Sequence, residues 1–195
     1  MRKAPDPVPP KPLLKGRVIR AGEGVVQRSS GMHRNAIIVT DAAKAAGLTI
    51  EVIEFPEITR TAVEAAEAVG VPVGAIVKSL VFAVGESSKG EGEVVVALIS
   101  GDNQLDERKL AAAAGARKAW RIDADAVREA TGFAVGGISP FGYPRPLRMF
   151  FDPYLLNFQA VWAAAGTPKH NFRSVPADLA EATGAMITPL AKERS

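Results

Sequence analysis

A single lysine lies inside an otherwise apolar run. The stretch "GVPVGAIVKSLVFAV", residues 70–84, contains Lys78 as its only charged residue. An ammonium group in this setting is costly unless it is paired, reaches water, or meets an anionic ligand. Lys78 is therefore the first candidate for chemistry. A lysine at the edge of a core is more often structural, and on the run alone both interpretations stay open.

A second candidate is the loop "TGFAVGGISPFGYPRP", residues 131–146. Gly136 and Gly137 would let its backbone approach a ligand closely, while Pro140 stiffens it. Exposed amides in such a loop can hold an anion or a developing oxyanion, and Ser139 could add a hydroxyl. The alternative is a plain connection to the strand "LRMFF". Together with Lys78, the loop suits a ligand that carries a phosphate and a carbonyl.

Several familiar kinds of site are excluded by the sequence. Cysteine is absent, which removes disulfides, thiolate nucleophiles and zinc–cysteine sites. The two histidines, His33 and His170, are far apart in sequence, so we expect no metal site. "GEGVVQ" falls short of a dinucleotide-binding fingerprint, no Walker A motif is present, and "GESSK" lacks the last glycine of a nucleophile elbow. We expect no cofactor.

The positive charge is concentrated at the N-terminus. The chain has 195 residues and a net charge of +3, but residues 1–20 alone carry six Lys/Arg against one Asp, so the remainder sums to −2. Five of the fourteen prolines fall in residues 5–12. We therefore predict a basic, Pro-rich, flexible extension over residues 1–24 and one folded domain over residues 25–195. With no apolar span or signal-type segment, we expect no membrane contact and a cytoplasmic protein.

Hydrophobic spacing predicts intermixed helices and strands. Capping residues and terminal glycines indicate helices in "HRNAIIVTDAAKAAG", "TAVEAAEAVG", "DERKLAAAAG", "DADAVREATG" and "PADLAEATG". "LTIEVIEF" alternates as a strand does, and "SLVFAV" with "VVVALIS" predicts a hairpin buried on both faces. There are too few strand–helix–strand crossovers for a doubly wound sheet. The fold class is therefore α+β, a single compact domain around a mixed sheet.

Four blocks, in order, resemble one known family. They are "TAVEAAEAVGVPVGAIVKSLVF", "ALISGDNQLDERKLAAAAGARK", "VREATGFAVGGISPFG" and "VWAAAGTP". The chain is similar to the YbaK/ProX-like aminoacyl-tRNA deacylases, a family that includes the editing insertion domain of bacterial prolyl-tRNA synthetases. The resemblance covers about residues 33–188. It implies a partly barrel-like mixed sheet flanked by helices.

The resemblance also implies an activity. Such free-standing trans-editing enzymes hydrolyse the ester that joins a wrong amino acid to the terminal adenosine of a tRNA. The family's lysine falls on Lys78, and its G-x-x-x-P loop falls on Gly136 to Pro140, which includes Gly137. The lysine is implied to engage the terminal phosphate or the ester region, and the loop the aminoacyl carbonyl. The adenosine 2′-hydroxyl or a substrate side chain assists, and no metal or organic cofactor is implied.

Other residues are weaker candidates for contacts with the substrate. Asp102 also fits a simple turn, Asp152 fits first a helix cap before a proline, and Thr61 is a cap. Phe141 and Trp162 could stack on adenine, although core packing suits Trp162 better. The candidates kept as substrate-binding residues are Thr59, Gly101, Asp102, Ile138, Ser139, Phe141 and Asp152.

The partner and the exact substrate are less defined. We expect the acceptor end of an aminoacylated tRNA as partner, with an aminoacyl-tRNA synthetase as a further option, and a monomer or weak dimer. A small wrong amino acid, on tRNA(Pro) or another tRNA, fits the resemblance, but the residues that select it are spread over several loops. A non-catalytic module that binds a tRNA end, a nucleotide or a protein is the alternative. A general esterase is a weaker one.

Overall fold

The computed structural model describes residues 17–19, 32–59, 61–87 and 92–193. Within these ranges the chain forms five α-helices and nine strands. The helices are α1 (Arg34–Ala45), α2 (Ala62–Val69), α3 (Glu107–Ala114), α4 (Ala124–Thr131) and α5 (Pro176–Thr183). The strands are β1 (Arg17–Ile19), β2 (Val52–Glu54), β3 (Ile76–Gly85), β4 (Glu93–Ser100), β5 (Lys118–Arg121), β6 (Arg148–Phe151), β7 (Val161–Thr167), β8 (His170–Ser174) and β9 (Met186–Ile187).

The helix ends follow from local capping chemistry. Thr61 and Glu64 form a reciprocal capping box at the start of α2, and Gly70 ends that helix with a left-handed φ of 71°. The side chains of Asp106 and Asp123 accept backbone N–H groups at the starts of α3 and α4. These residues confirm the predicted ends of α2 and the predicted starts of α3 and α4, and all five predicted helices are present.

The strands form one mixed sheet that curls into a half-barrel. Its order is β1-β2-β8-β7-β3-β4-β6-β9, and β5 pairs with β3 outside this path. β3 and β4 form the predicted hairpin with antiparallel register from Val77↔Ser100 to Val84↔Glu93. β3–β7, β4–β6 and β6–β9 pair in parallel. The predicted α+β class, with a partly barrel-like mixed sheet, is confirmed.

Helices cover both faces of the sheet. On one face, α1, α4 and α5 pack on the side chains of β3, β4, β6, β7 and β8 in the largest apolar cluster. On the other face, α3 covers β4 and the end of β3, and α2 covers Ile53, Ile76 and Trp162. Both hairpin strands are therefore buried on their two faces, as the sequence predicts.

The predicted N-terminal extension is described only in part. Arg17–Ile19 form β1 and pair antiparallel with β2, so three residues of the segment 1–24 belong to the sheet. The rest of that segment lies outside the described residues. None of the helices in the described ranges is both long and apolar enough to cross a membrane.

Candidate functional site

A cavity opens where two parallel strands separate. β3 and β7 pair only at Ile76↔Trp162 and Val77↔Ala163, and beyond these two pairs they diverge. The gap holds a cavity of about 410 Å³. Its lining comes from α2, the beginning of β3, β5, α4, the glycine loop, β7 and β8: Thr59, Thr61, Ala62, Ala65, Ile76, Val77, Lys78, Ser79, Leu80, Val81, Phe82, Arg121, Ile122, Val127, Val135, Gly136, Ile138, Ala164 and Asn171.

Lys78 is one of the lining residues, and two main-chain carbonyls fix the position of its ammonium group. Its Nζ donates to the carbonyl of Gly101 at 3.0 Å and to the carbonyl of Asn103. An ammonium group has three N–H donors. Two of them are taken up within the described part of the chain, which leaves the third for a ligand. The residue as a whole is partly buried, and it is one of the lining residues of the cavity.

Burial and a nearby carboxylate act on this ammonium in opposite directions. Desolvation lowers the pKa of Lys78 below its ordinary value, and the negative charge of Asp102 partly offsets that shift. Asp102 is itself fixed by Ser100, whose Oγ donates to Asp102 Oδ1 at 2.6 Å. Gly101 and Asp102, just after the end of β4, are not among the lining residues; Gly101 accepts a hydrogen bond from Lys78, and Asp102 acts on it through its charge.

The glycine loop closes the opposite side of the cavity. Gly136 and Ile138 line it, and Gly136 has a left-handed φ of 93°. A Cβ added at Gly137 would lie 2.7 Å from Thr167 Cα, so the loop packs directly on the backbone of β7. This close approach requires glycine at position 137. Pro140 is buried behind the loop and does not line the cavity.

Two other loop residues point into the protein. Ser139 is fully buried, and its Oγ accepts the backbone N–H of Phe141 at 3.2 Å. Phe141 packs in the core, with its ring centroid 6.1 Å from that of Phe172. Trp162 is likewise buried, under α2. Since neither aromatic ring faces the cavity, this arrangement does not support their stacking on adenine.

Thr59 and Asp152 have different settings. Thr59 lines the cavity, and its backbone N and Oγ1 both donate to the carbonyl of Pro168. Asp152 lies elsewhere: Oδ1 accepts Tyr154 N at 3.0 Å, and Oδ2 accepts Leu190 N and Ala191 N at 2.7 and 2.9 Å. Its carboxylate caps the turn that contains Tyr154 and binds the C-terminal segment. Asp152 is not among the residues that line the candidate site.

Three polar lining residues were not found from the sequence. Arg121, at the end of β5, is an exposed cation on the cavity wall, 5.9 Å from the Phe82 ring centroid. Asn171 comes from β8 and is buried. Ser79 Oγ is buried and has no hydrogen-bond partner among the described residues. Of the three, only Ser79 carried a sequence signal, because it is the one other polar residue in the apolar run beside Lys78.

The lining of the cavity contains few ionisable groups. Among the described residues that line it, the ionisable groups are Lys78 and Arg121, and no carboxylate or imidazole is present. The described ranges also contain no cluster of three or more His, Asp or Glu residues suited to a metal ion. The two histidines do meet in space despite their distance in sequence, with ring centroids 6.0 Å apart, but outside this cavity.

Comparisons with known proteins give a matching family model and several similar proteins. The family model described as "Aminoacyl-tRNA editing domain" matches residues 56–182. The uncharacterized protein YwhH of Bacillus subtilis (strain 168) is 33% identical over 132 residues, 67% of this chain and 80% of YwhH. EbsC of Enterococcus faecalis (strain ATCC 700802 / V583), a candidate Cys-tRNA(Pro)/Cys-tRNA(Cys) deacylase, is 31% identical over 101 residues, 52% of this chain and 58% of EbsC.

The similarity extends to ligases and to solved structures. The proline–tRNA ligase of Thermosipho africanus (strain TCF52B) is 34% identical over 113 residues, 56% of this chain but only 19% of the ligase. A crystal structure of a candidate trans-editing enzyme for prolyl-tRNA synthetase superimposes with a TM-score of 0.75 at 41% identity, covering 84% of this chain and all of that one. The resemblance drawn from the four sequence blocks is confirmed, and this chain belongs to the aminoacyl-tRNA editing domain family.

Proposed function

We propose that this chain is a free-standing deacylase that hydrolyses the ester of a mischarged aminoacyl-tRNA. The aminoacylated acceptor end would enter the cavity between β3 and β7. Family membership supports the editing activity, and the candidate deacylase and trans-editing relatives support the reaction class. The proposed substrate class is a small wrong amino acid, with tRNA(Pro) as the first tRNA to test.

The observation that carries this proposal is the charge of the cavity. Its two ionisable lining groups within the described residues, Lys78 and Arg121, are both cations. A terminal nucleotide brings a phosphate, and an ester under attack develops negative charge on its carbonyl oxygen. Cationic and amide donors stabilise both of these charges. A cavity that used an imidazole or a carboxylate as a general base would have one of these groups in its lining, and none of the described lining residues carries one.

The residues then have the following proposed roles. The free N–H of Lys78 binds the terminal phosphate or the ester oxygen, and Arg121 at the rim binds backbone phosphate. The loop from Gly136 to Pro140 fixes the position of the aminoacyl carbonyl. Water attacks the carbonyl carbon, the bond from this carbon to the ribose oxygen breaks, and the ribose oxygen takes a proton. The adenosine 2′-hydroxyl or a substrate side chain assists by accepting a hydrogen bond from the attacking water and relaying its proton to the departing ribose oxygen.

The test is a deacylation time course on a panel of mischarged tRNAs. The panel includes tRNA(Pro) that carries alanine, cysteine and other small amino acids. We expect hydrolysis of one or a few, and a loss of about 100-fold or more in kcat/KM for Lys78→Ala, because a preorganised charged donor is removed. Lys78→Arg should not restore activity, since a planar guanidinium cannot occupy the place of a compact ammonium.

The control is Lys44→Ala, which removes an exposed lysine from the last turn of α1. It should retain wild-type rates. If folded wild-type protein hydrolyses none of the esters, the deacylase proposal is wrong, and a non-catalytic binding module becomes the better description. If Lys78→Ala retains full activity, the proposed role of the lysine is wrong.

A further inference from the structure

One edge of β3 is unpaired over a short segment inside the cavity. Along its other edge, β3 pairs with β4 from Val77 to Val84. Along the cavity edge, β7 pairs only with residues 76–77 and β5 only with residues 82–85. Residues 78–81 therefore have no strand partner on that edge within the described part of the chain. Such an edge presents main-chain donors and acceptors to whatever lies beside it.

The hydrogen bond between Ile76 and Gly101 shows which residue faces the gap. The carbonyl of Ile76 accepts Gly101 N at 2.7 Å, so Ile76 directs its main-chain groups toward β4. Main-chain groups of successive strand residues point to alternate edges. Lys78 and Leu80 therefore also face β4, whereas Ser79 faces the gap. The main-chain groups of Val81 also point to the gap, but Val81 is adjacent to the residues that pair with β5. Ser79 is therefore the gap-facing residue that is adjacent neither to the pairs with β5 nor to Ile76.

Ser79 thus directs its N–H and its C=O to the cavity edge of β3 with no partner among the described residues, and its buried Oγ has no hydrogen-bond partner among them either. Buried backbone groups are almost always hydrogen-bonded in native proteins. An unpaired N–H and C=O on one residue form a fixed donor–acceptor pair. A ligand that offers an acceptor and a donor at the matching spacing completes it.

We infer that the main chain of Ser79 binds the α-amino group and carbonyl of the substrate as one residue of an antiparallel strand would be bound. This inference rests on the proposed function. An α-aminoacyl ester carries an ammonium and a carbonyl on either side of one Cα, the same arrangement as a strand residue. The substrate ammonium donates to the Ser79 carbonyl, and the ester carbonyl accepts the Ser79 N–H.

This pairing recognises the α-amino group and the carbonyl, which all α-amino acids share. In an antiparallel pair, facing side chains lie on the same side of the sheet. The side chain of an L-amino acid would then lie beside Ser79 Oγ, on the face of Val127 and Ile138, which also line the cavity. Recognition of the α-amino group is thereby separated from selection of the side chain. An α-hydroxy acid, which has no ammonium, should be a poor ligand.

The experiment measures amide hydrogen exchange by NMR on the full chain with and without a non-hydrolysable ligand. The ligand is 3′-(L-alanylamido)-3′-deoxyadenosine, or the analogue of whichever amino acid the deacylation panel identifies. In the free protein, the Ser79 amide should exchange faster than the Lys78 and Leu80 amides, which point to β4. Saturation with ligand should slow Ser79 exchange about tenfold or more, the effect of one hydrogen bond to a ligand.

A matched ligand isolates the amino group. The 3′-lactylamido analogue, with a hydroxyl in place of the ammonium, should bind about tenfold or more weakly, because a charge-assisted hydrogen bond is lost. Lactyl-tRNA should likewise be hydrolysed less efficiently than alanyl-tRNA, relative to the spontaneous rate of each ester. Ser79→Ala should preserve this preference, since it removes only the side-chain hydroxyl.

The outcomes separate this inference from the proposed function. If aminoacyl-tRNA is hydrolysed but the two analogues bind equally and the Ser79 amide is unaffected, the strand-edge inference is overturned and the deacylase remains. If Ser79→Ala abolishes the amino-over-hydroxy preference, the hydroxyl and not the main chain reads the amine, which also overturns it. If no aminoacyl ester is hydrolysed and neither analogue binds, both proposals fall together.

Discussion

At the scale of single residues, the tightest constraint on the site is the contact between Gly137 and β7. A Cβ at position 137 would lie 2.7 Å from Thr167 Cα and 2.8 Å from its carbonyl carbon. Neither of these backbone atoms can move aside cheaply, so Gly137→Ala must shift the loop. Overpacking of this kind costs about 1–3 kcal/mol in the free energy of unfolding. Because the same loop is proposed to position the carbonyl, we expect kcat/KM for deacylation to fall about 100-fold.

The control for this variant is a glycine with space around it. Gly115 ends α3 with a φ of 70°, and a Cβ there meets no atom within 4 Å. Gly115→Ala should lower the free energy of unfolding by about 1 kcal/mol, because a non-glycine residue is strained in the left-handed region. Its kcat/KM should match the wild type. Equal activities for the two variants would show that the Gly137 contact does not position the substrate.

Residues with a conspicuous sequence setting could be predicted, and residues that act through tertiary contacts could not. Lys78 is conspicuous because a charge interrupts an apolar run, and Gly136 because it opens a glycine–proline loop. Asn171 gives no such signal, since "NFRSV" is an ordinary half-polar strand. It joins the cavity only because β8 and β7 lie next to β3. Phe141 packs in the core, because an aromatic residue in a loop can pack inward as readily as it can stack on a base.

At the scale of elements, Asp152 attaches the C-terminal segment to the sheet. Its carboxylate caps the 3₁₀ turn Pro153–Asn157 and accepts two backbone N–H groups, from Leu190 and Ala191. Asp152 is 2% exposed and Leu190 is fully buried. Asp152→Ala would leave those amides without an acceptor, at a cost of about 2–4 kcal/mol in the free energy of unfolding. Urea denaturation measures this loss.

The activity of the same variant decides between the two roles considered for Asp152. A structural clamp predicts wild-type kcat/KM at a temperature where the variant is fully folded. A folded variant with reduced kcat/KM would instead support contact with the substrate. Asp123→Ala removes an exposed cap from α4 and is the matched control. It should cost about 1 kcal/mol and leave activity unchanged.

The elements themselves were largely predictable because their signals are local. Thr61, Glu64 and Gly70 lie within ten residues and fix both ends of α2. The β3–β4 hairpin follows from two apolar runs joined by a polar loop. The parallel pairs β3–β7 and β4–β6 were not predictable, since they join segments separated by many residues and no local spacing encodes their register. The cavity depends on the β3–β7 pair, so its shape could not be derived from the sequence.

At the scale of the whole molecule, the stability of the fold should depend on pH through His170. This side chain is 4% exposed; its Nδ1 lies 2.6 Å from Thr167 Oγ1, and its Nε2 has no hydrogen-bond partner among the described residues. Burial lowers the pKa of His170 below 6.5, with His33 and Lys169 acting in the same direction and Glu54 opposing them. The native protein therefore binds fewer protons here than the unfolded chain does.

The sign of the pH dependence follows from this difference in bound protons. When the unfolded state holds more protons, the free energy of unfolding rises with pH, so acidification from pH 7 through 6.5, the ordinary pKa, toward the lowered native value should destabilise the protein. Urea denaturation at pH 7 and about pH 5 measures the loss, and His170→Gln should show a smaller one because glutamine does not titrate. His33→Asn, which retains a side chain able to cap α1, should keep most of the wild-type decline. If the free energy of unfolding of His170→Gln falls as much between these two pH values as that of the wild type, the proton is taken up by another group.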